Sequence, residues 1–134
     1  MEERSELMPA PSARARTVLV VDDSAQMRKV VSAVVKRAGH YPLEAADGIQ
    51  ALDMARGWEP ALVILDMVMP GLDGMETLRQ LREIPAMENI PVVLLTQVQD
   101  AERIREAGKY GVRDYLSKPA KTDRLLEKIR KYLG

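Results

Sequence analysis

Five side chains that could bind a metal ion or a phosphoryl group follow strand-like apolar segments of this sequence. Asp22 and Asp23 come directly after TVLVV, and Asp66 comes directly after ALVIL. Thr96 follows PVVLL, and Lys118 lies at the end of the last such segment. Because the carboxyl ends of parallel strands meet at one edge of a sheet, we expect these five side chains to lie close together.

Each of these residues also has an ordinary structural interpretation. Asp23 or Ser24 can cap a helix, Asp66 before a Pro-Gly loop can form a turn, and a lysine near a strand end is commonly solvated. Together, however, three carboxylates repel one another, and a divalent cation relieves that repulsion. Oxygen ligands without histidine or cysteine favour Mg²⁺ or Mn²⁺. A carboxylate beside a cation, an ammonium and a hydroxyl can accept a phosphoryl group as a nucleophile.

The elements that must position these side chains alternate regularly along the chain. Apolar runs typical of strands are separated by amphipathic stretches with helical spacing, which predicts a parallel α/β sheet covered by helices on both faces. The predicted strands are 17–21, 41–45, 61–65, 91–95 and 112–118, and the predicted helices are 24–38, 48–56, 74–83, 99–109 and 121–133.

The order of the strands in the sheet also follows from their composition. The first, third and fourth runs are apolar at consecutive positions, as strands buried on both faces must be. The second run contains Pro42 and Glu44, and the fifth contains Arg113 and Asp114, which places both at the edges. This pattern predicts the doubly wound order 2-1-3-4-5.

Composition excludes several classes of protein. The 134 residues suffice for one domain, and 20 Lys and Arg balance 20 Asp and Glu, which argues against direct nucleic-acid binding. The absence of cysteine excludes disulfides and thiolate metal sites. The single histidine, His40, excludes a histidine-rich metal site; it follows Gly39, and we expect it to be exposed in a loop.

The amino-terminal segment differs from the rest of the chain. Residues 1–16 contain Pro9 and Pro11 and have no apolar periodicity, which predicts a flexible tail before a single domain at 17–134. The first residues lack the features of a secretory signal, and no apolar run is long enough to span a bilayer. We therefore expect a cytoplasmic protein with no membrane partner.

The sequence contains the segments VLVVDDS, LVILDMVMPGLDG, PVVLLT and GVRDYLSKP. Together these four segments resemble the receiver domain of two-component response regulators. The resemblance covers 17–133 and implies a flavodoxin-like (βα)5 fold. It also implies that Asp66 is the phosphoacceptor and that Mg²⁺ (or Mn²⁺) is held by Asp22, Asp23, Asp66 and the backbone carbonyl of Val68.

The resemblance implies further roles near the site. Thr96 would be the switch hydroxyl that moves to the phosphoryl group, Tyr115 the aromatic side chain that reports activation, and Lys118 the phosphoryl counter-ion. The peptide bond before Pro119 is expected to be cis. Such a protein is not an enzyme acting on a separate substrate, since it assists only its own phosphorylation and dephosphorylation.

The same resemblance implies two kinds of protein partner. A histidine kinase or phosphotransfer protein would donate the phosphoryl group, and a downstream target would bind the surface of the fourth helix, fifth strand and fifth helix. Residues 99–134 contain 10 Lys and Arg against 6 Asp and Glu, a surplus that fits either solvated helix faces or a basic partner surface. The chain would be a monomer or a phosphorylation-dependent dimer.

Two alternatives remain open from the sequence. A haloacid-type Mg²⁺-dependent phosphohydrolase also uses an aspartate nucleophile after a strand, although it usually has a second aspartate two residues later, where this chain has Val68. The chain could also be the receiver fragment of a larger DNA-binding response regulator.

The last expectation concerns the lifetime of a phosphoryl group on Asp66. In receivers, water approaches the aspartyl phosphate past two side chains, here Val68 and Val98. Because neither valine can orient a water molecule, we expect slow hydrolysis.

Overall fold

The computed structural model describes residues 15–96 and 101–134 and contains five strands and five α-helices. The strands are β1 (Thr17–Val21), β2 (Tyr41–Ala45), β3 (Leu62–Asp66), β4 (Val92–Thr96) and β5 (Asp114–Ser117). The helices are α1 (Ala25–Arg37), α2 (Gly48–Trp58), α3 (Gly74–Glu83), α4 (Ala101–Gly108) and α5 (Thr122–Leu133). A short 3-10 helix, Pro85–Met87, precedes β4 and was not expected from the sequence pattern.

The five strands form one parallel sheet in the order β2-β1-β3-β4-β5, which confirms the predicted doubly wound fold. All residues of β3 and β4 are buried, whereas β2 and β5 are partly exposed at the edges. Pro42 is tolerated in β2 because an edge strand has neighbours on one side only. Helix α4 and the connection before it are described only from Ala101, so the predicted start of this helix at residue 99 lies outside the described residues.

Two apolar cores lie on opposite faces of the sheet, because successive side chains of a strand point to opposite sides. Leu19, Val63 and Leu94 pack on the face covered by α2 and α3, with Ala107 of α4. The other face is covered by α1 and α5; its core consists of Val18, Val20, Val31, Val34, Val35, Leu62, Ile64, Val93, Leu95, Leu125 and Ile129.

Three of the described helices begin at a short polar residue whose side chain caps the first turn. Ser24 accepts a hydrogen bond from the Met27 N–H, Asp47 from the Gln50 N–H, and Asp73 from the Glu76 N–H. These caps satisfy backbone donors that a helix leaves unpaired in its first turn.

The expectation that His40 is exposed is wrong. His40 is 5% exposed, because it packs between the start of β1 and the end of α5. Its Nδ1 accepts a hydrogen bond from the Arg16 N–H at 3.0 Å, and its Nε2 lies 3.4 Å from the Gly134 carbonyl oxygen. The loop position was predicted correctly, but the packing of two distant segments covers it.

The predicted amino-terminal tail lies outside the described residues, apart from positions 15 and 16. Within the two described ranges, no helix combines the length and apolarity needed to cross a bilayer.

Candidate functional site

Two adjacent carboxylates follow β1 and differ in their surroundings. Asp22 is completely buried, whereas Asp23 is exposed. The Asp22 N–H donates to the Ala45 carbonyl at 3.1 Å, and Asp22 Oδ1 accepts the Ser24 N–H at 2.9 Å. The Ser24 side chain caps α1, so the helix-capping interpretation applies to Ser24. The metal-site interpretation applies to Asp22 and Asp23 in the same loop.

Asp66 is the last residue of the central strand β3 and is 3% exposed. Its Oδ1 accepts a hydrogen bond from the Val68 N–H at 3.2 Å. Gly74 packs directly beneath this loop, and a Cβ atom there would come within 2.5 Å of the Asp66 carbonyl oxygen and of Met67 Cα. Only glycine allows α3 to begin so close to the aspartate.

Lys118 brings a positive charge between the two buried carboxylates. Its Nζ lies 2.9 Å from Asp22 Oδ2 and 3.3 Å from Asp66 Oδ2. The Lys118 N–H donates to the Thr96 carbonyl at 2.7 Å, which joins the ends of β4 and β5. The Lys118–Pro119 peptide bond is cis.

The cluster formed by the Asp22, Asp23 and Asp66 carboxylates fits a hard divalent cation. One oxygen from each of Asp22, Asp23 and Asp66 lies within 4.8 Å of the others. Asp22 Oδ2 is buried, and among the described residues no donor is aligned for a hydrogen bond with it, although the Lys118 ammonium is nearby. An oxygen-only donor set with an incompletely satisfied buried carboxylate is suited to Mg²⁺ or Mn²⁺. That the Val68 carbonyl is a further ligand stays a prediction.

Burial and neighbouring charges together set the protonation behaviour of Asp66 and Lys118. Burial and the adjacent Asp22 charge raise the pKa of Asp66 to about 6, against the opposing effects of the Val68 N–H and Lys118. Burial also disfavours the charged form of Lys118, but contacts with Asp22 and Asp66 outweigh it and raise its pKa. The lysine therefore stays protonated at neutral pH, while Asp66 gains its charge near pH 6.

Two predicted switch residues lie near this edge of the sheet. Thr96, the last residue of β4, is 6% exposed and is adjacent in register to Ser117 of β5. Tyr115 is 46% exposed on β5. Val68 is 56% exposed beside Asp66, while Val98 lies outside the described residues.

One residue that contacts the site, Arg28, was not predicted from the sequence. Arg28 of α1 donates a hydrogen bond from Nη1 to the Asp22 carbonyl at 2.7 Å. Its position one turn into the helix after the aspartate pair is the only sequence signal, and it is a weak one, because arginine is common on solvated helix faces.

Residues 18–130 match the response regulator receiver domain family. The chain is 35% identical over 116 residues to sporulation initiation phosphotransferase F of Bacillus subtilis, covering 87% of this chain and 92% of that protein. It is 38% identical over 118 residues to the protein PilH of Pseudomonas aeruginosa, covering 87% and 97%.

Solved structures agree with this assignment. The chemotaxis protein CheY4 of Vibrio cholerae superposes with a TM-score of 0.84 at 31% identity, covering 89% of this chain and 99% of that one. The chain therefore belongs to the response regulator receiver domains, the phosphorylation-controlled switches of two-component signalling.

Proposed function

We propose that Asp66 is the phosphoacceptor of this receiver domain and that its phosphorylation depends on Mg²⁺. The observation that supports this assignment is the buried Asp66 carboxylate at the end of the central strand. Lys118 Nζ lies 3.3 Å from it, and Asp22 and Asp23 are within reach of a shared cation.

The residues divide the chemistry among them. An Asp66 oxygen attacks the phosphorus of a phosphohistidine on a histidine kinase or phosphotransfer protein, and the phosphorus–nitrogen bond breaks as the imidazole leaves with the electron pair. Bound by Asp22, Asp23, Asp66 and the Val68 carbonyl, Mg²⁺ (or Mn²⁺) would supply positive charge against the phosphoryl oxygens. The Lys118 ammonium supplies a second positive charge.

The signal would leave through the α4-β5-α5 surface. Thr96 at the end of β4 and the half-exposed Tyr115 on β5 would connect the site to this surface. Exposed basic residues on it favour a target protein with an acidic patch; they are Arg105, Lys109, Arg113, Lys121, Arg124 and Arg130. The domain would act as a monomer or a phosphorylation-dependent dimer, without turning over a separate substrate.

A haloacid-type phosphohydrolase is the less favoured function. Such an enzyme usually has a second aspartate two residues after its nucleophile as acid or base, and Val68 can neither donate nor accept a proton. Family membership over residues 18–130 also argues against it.

Intact-mass spectrometry after incubation with acetyl phosphate and Mg²⁺ tests the proposal. Wild-type protein should gain one phosphoryl group, and EDTA or Asp66→Asn should abolish the gain. Asp53→Asn, which alters an exposed carboxylate of α2, is the matched control and should be labelled like wild type. Stoichiometric labelling of Asp66→Asn would refute the assignment.

A further inference from the structure

Arg28 connects α1, the site loop and the edge strand β2. Besides the bond from its Nη1 to the Asp22 carbonyl at 2.7 Å, its Nε donates to Glu44 Oε1 at 3.2 Å. The Arg28 side chain is 17% exposed, so its guanidinium is largely shielded from solvent. These contacts fix the guanidinium against the backbone of the site loop.

Glu44 is itself held in place from α1. Ser32 is 4% exposed, and its hydroxyl donates to Glu44 Oε2 at 3.0 Å. Both carboxylate oxygens of Glu44 are therefore engaged, one by Arg28 and one by Ser32. An arginine held by a carboxylate in this way loses little further freedom when it also binds a carbonyl.

The carbonyl that Arg28 binds belongs to the peptide unit between Asp22 and Asp23. The orientation of that unit sets the direction in which the Asp23 side chain leaves the backbone. Asp23 is exposed, and no hydrogen bond or ion pair with any other described residue fixes its carboxylate. The backbone is therefore what orients this candidate metal ligand.

We propose that Arg28 is a positioning residue that orients Asp23 for Mg²⁺ through the Asp22 carbonyl. The inference rests on the proposed function, since it assigns Arg28 to the same cation site. Removing a residue that holds a metal ligand in place by hydrogen bonding typically lowers metal affinity by about 10- to 100-fold. Because Arg28 acts through the backbone, we expect the lower end of this range.

Charge and positioning predict opposite effects, which makes the proposal testable. A nearby positive charge disfavours a bound divalent cation, so deleting Arg28 would tighten Mg²⁺ binding if its charge were all that mattered. If positioning dominates, Arg28→Ala weakens binding roughly tenfold. Arg28→Lys keeps the charge but cannot reproduce the paired Nε and Nη1 contacts, so it also weakens binding.

Isothermal titration calorimetry with Mg²⁺ measures these affinities. Arg56→Ala, an exposed arginine of α2 paired with Asp53 at 3.7 Å, is the matched control and should bind like wild type. Unchanged or tighter binding by Arg28→Ala would overturn the proposal. If that variant does not fold, wild-type affinity in Arg28→Lys would overturn it equally.

A second measurement needs no metal. In EDTA, amide hydrogen exchange followed by NMR should be faster at Ser24, whose N–H donates to Asp22 Oδ1, in Arg28→Ala and Arg28→Lys. It should be unchanged at Ile129, a buried residue of α5. Exchange at wild-type rates in the loop would overturn the positioning role. Failure of the wild-type protein to bind Mg²⁺ would instead refute the proposed metal site, and the exchange rates would still decide whether Arg28 orders the loop.

Discussion

Replacing Asp66 with asparagine should stabilise the metal-free protein, and more strongly at neutral than at acidic pH. Burial and the Asp22 charge raise the pKa of Asp66 from its ordinary value of 3.8 to about 6. A carboxyl group whose pKa is higher in the folded state stabilises the fold fully below pH 3.8. That stabilisation is lost as the pH rises through about 6. Because asparagine does not titrate, the free energy of unfolding of Asp66→Asn does not fall in this way as the pH rises.

The rise in the pKa of Asp66 sets the size of the effect. The full rise corresponds to about 3 kcal/mol in the free energy of unfolding. Between about pH 5 and about pH 7.5, the wild-type protein should lose about 1.4 kcal/mol of this relative to Asp66→Asn. Changes in packing caused by the amide affect both pH values alike, so the difference between them isolates the titration.

Urea denaturation in EDTA, followed by circular dichroism at both pH values, measures this difference. Asp53→Asn is the control, because its carboxylate side chain is 79% exposed. A stability difference between wild type and Asp66→Asn that is equal at both pH values, within about 0.5 kcal/mol, would refute the buried, repulsive environment of Asp66. Added Mg²⁺ should raise the stability of wild type more than that of Asp66→Asn, by mass action.

Three further predictions concern the residues around Asp66. Gly74→Ala places a Cβ against backbone atoms at 2.5 Å and should lower the free energy of unfolding by about 2 kcal/mol in the same denaturation assay; a neutral effect would mean that the loop can shift freely. Asp23→Ala should raise the Mg²⁺ concentration needed for half-maximal labelling by acetyl phosphate, whereas Thr96→Ala should leave it near the wild-type value; equal losses in the two variants would contradict the division of roles. Val68→Asn should shorten the half-life of the phosphoryl group, roughly tenfold if its amide orients a water molecule, as measured by loss of the phosphorylated mass over time; an unchanged half-life would contradict the blocked-water explanation.

The sequence by itself determined the architecture and the edge of the sheet at which Asp22, Asp66 and Lys118 meet. Consecutive apolar residues in β1, β3 and β4 indicated strands buried on both faces, and Pro42 indicated an edge strand. Once the strands are parallel, the residues that follow them must share one edge of the sheet. The spacing of apolar residues and the order of the elements are properties of the chain itself, so they can be read from the sequence without coordinates.

Contacts between distant segments were decided only by the tertiary structure. His40 is covered by residues 16 and 134, and Asp114 on an edge strand is buried beneath α5, where Lys128, Lys131 and Tyr132 bind its carboxylate. The raised pKa of Asp66 likewise depends on how deeply packing buries it. Burial and electrostatic fields are sums over neighbours in space, and residue order does not specify which side chains will be those neighbours.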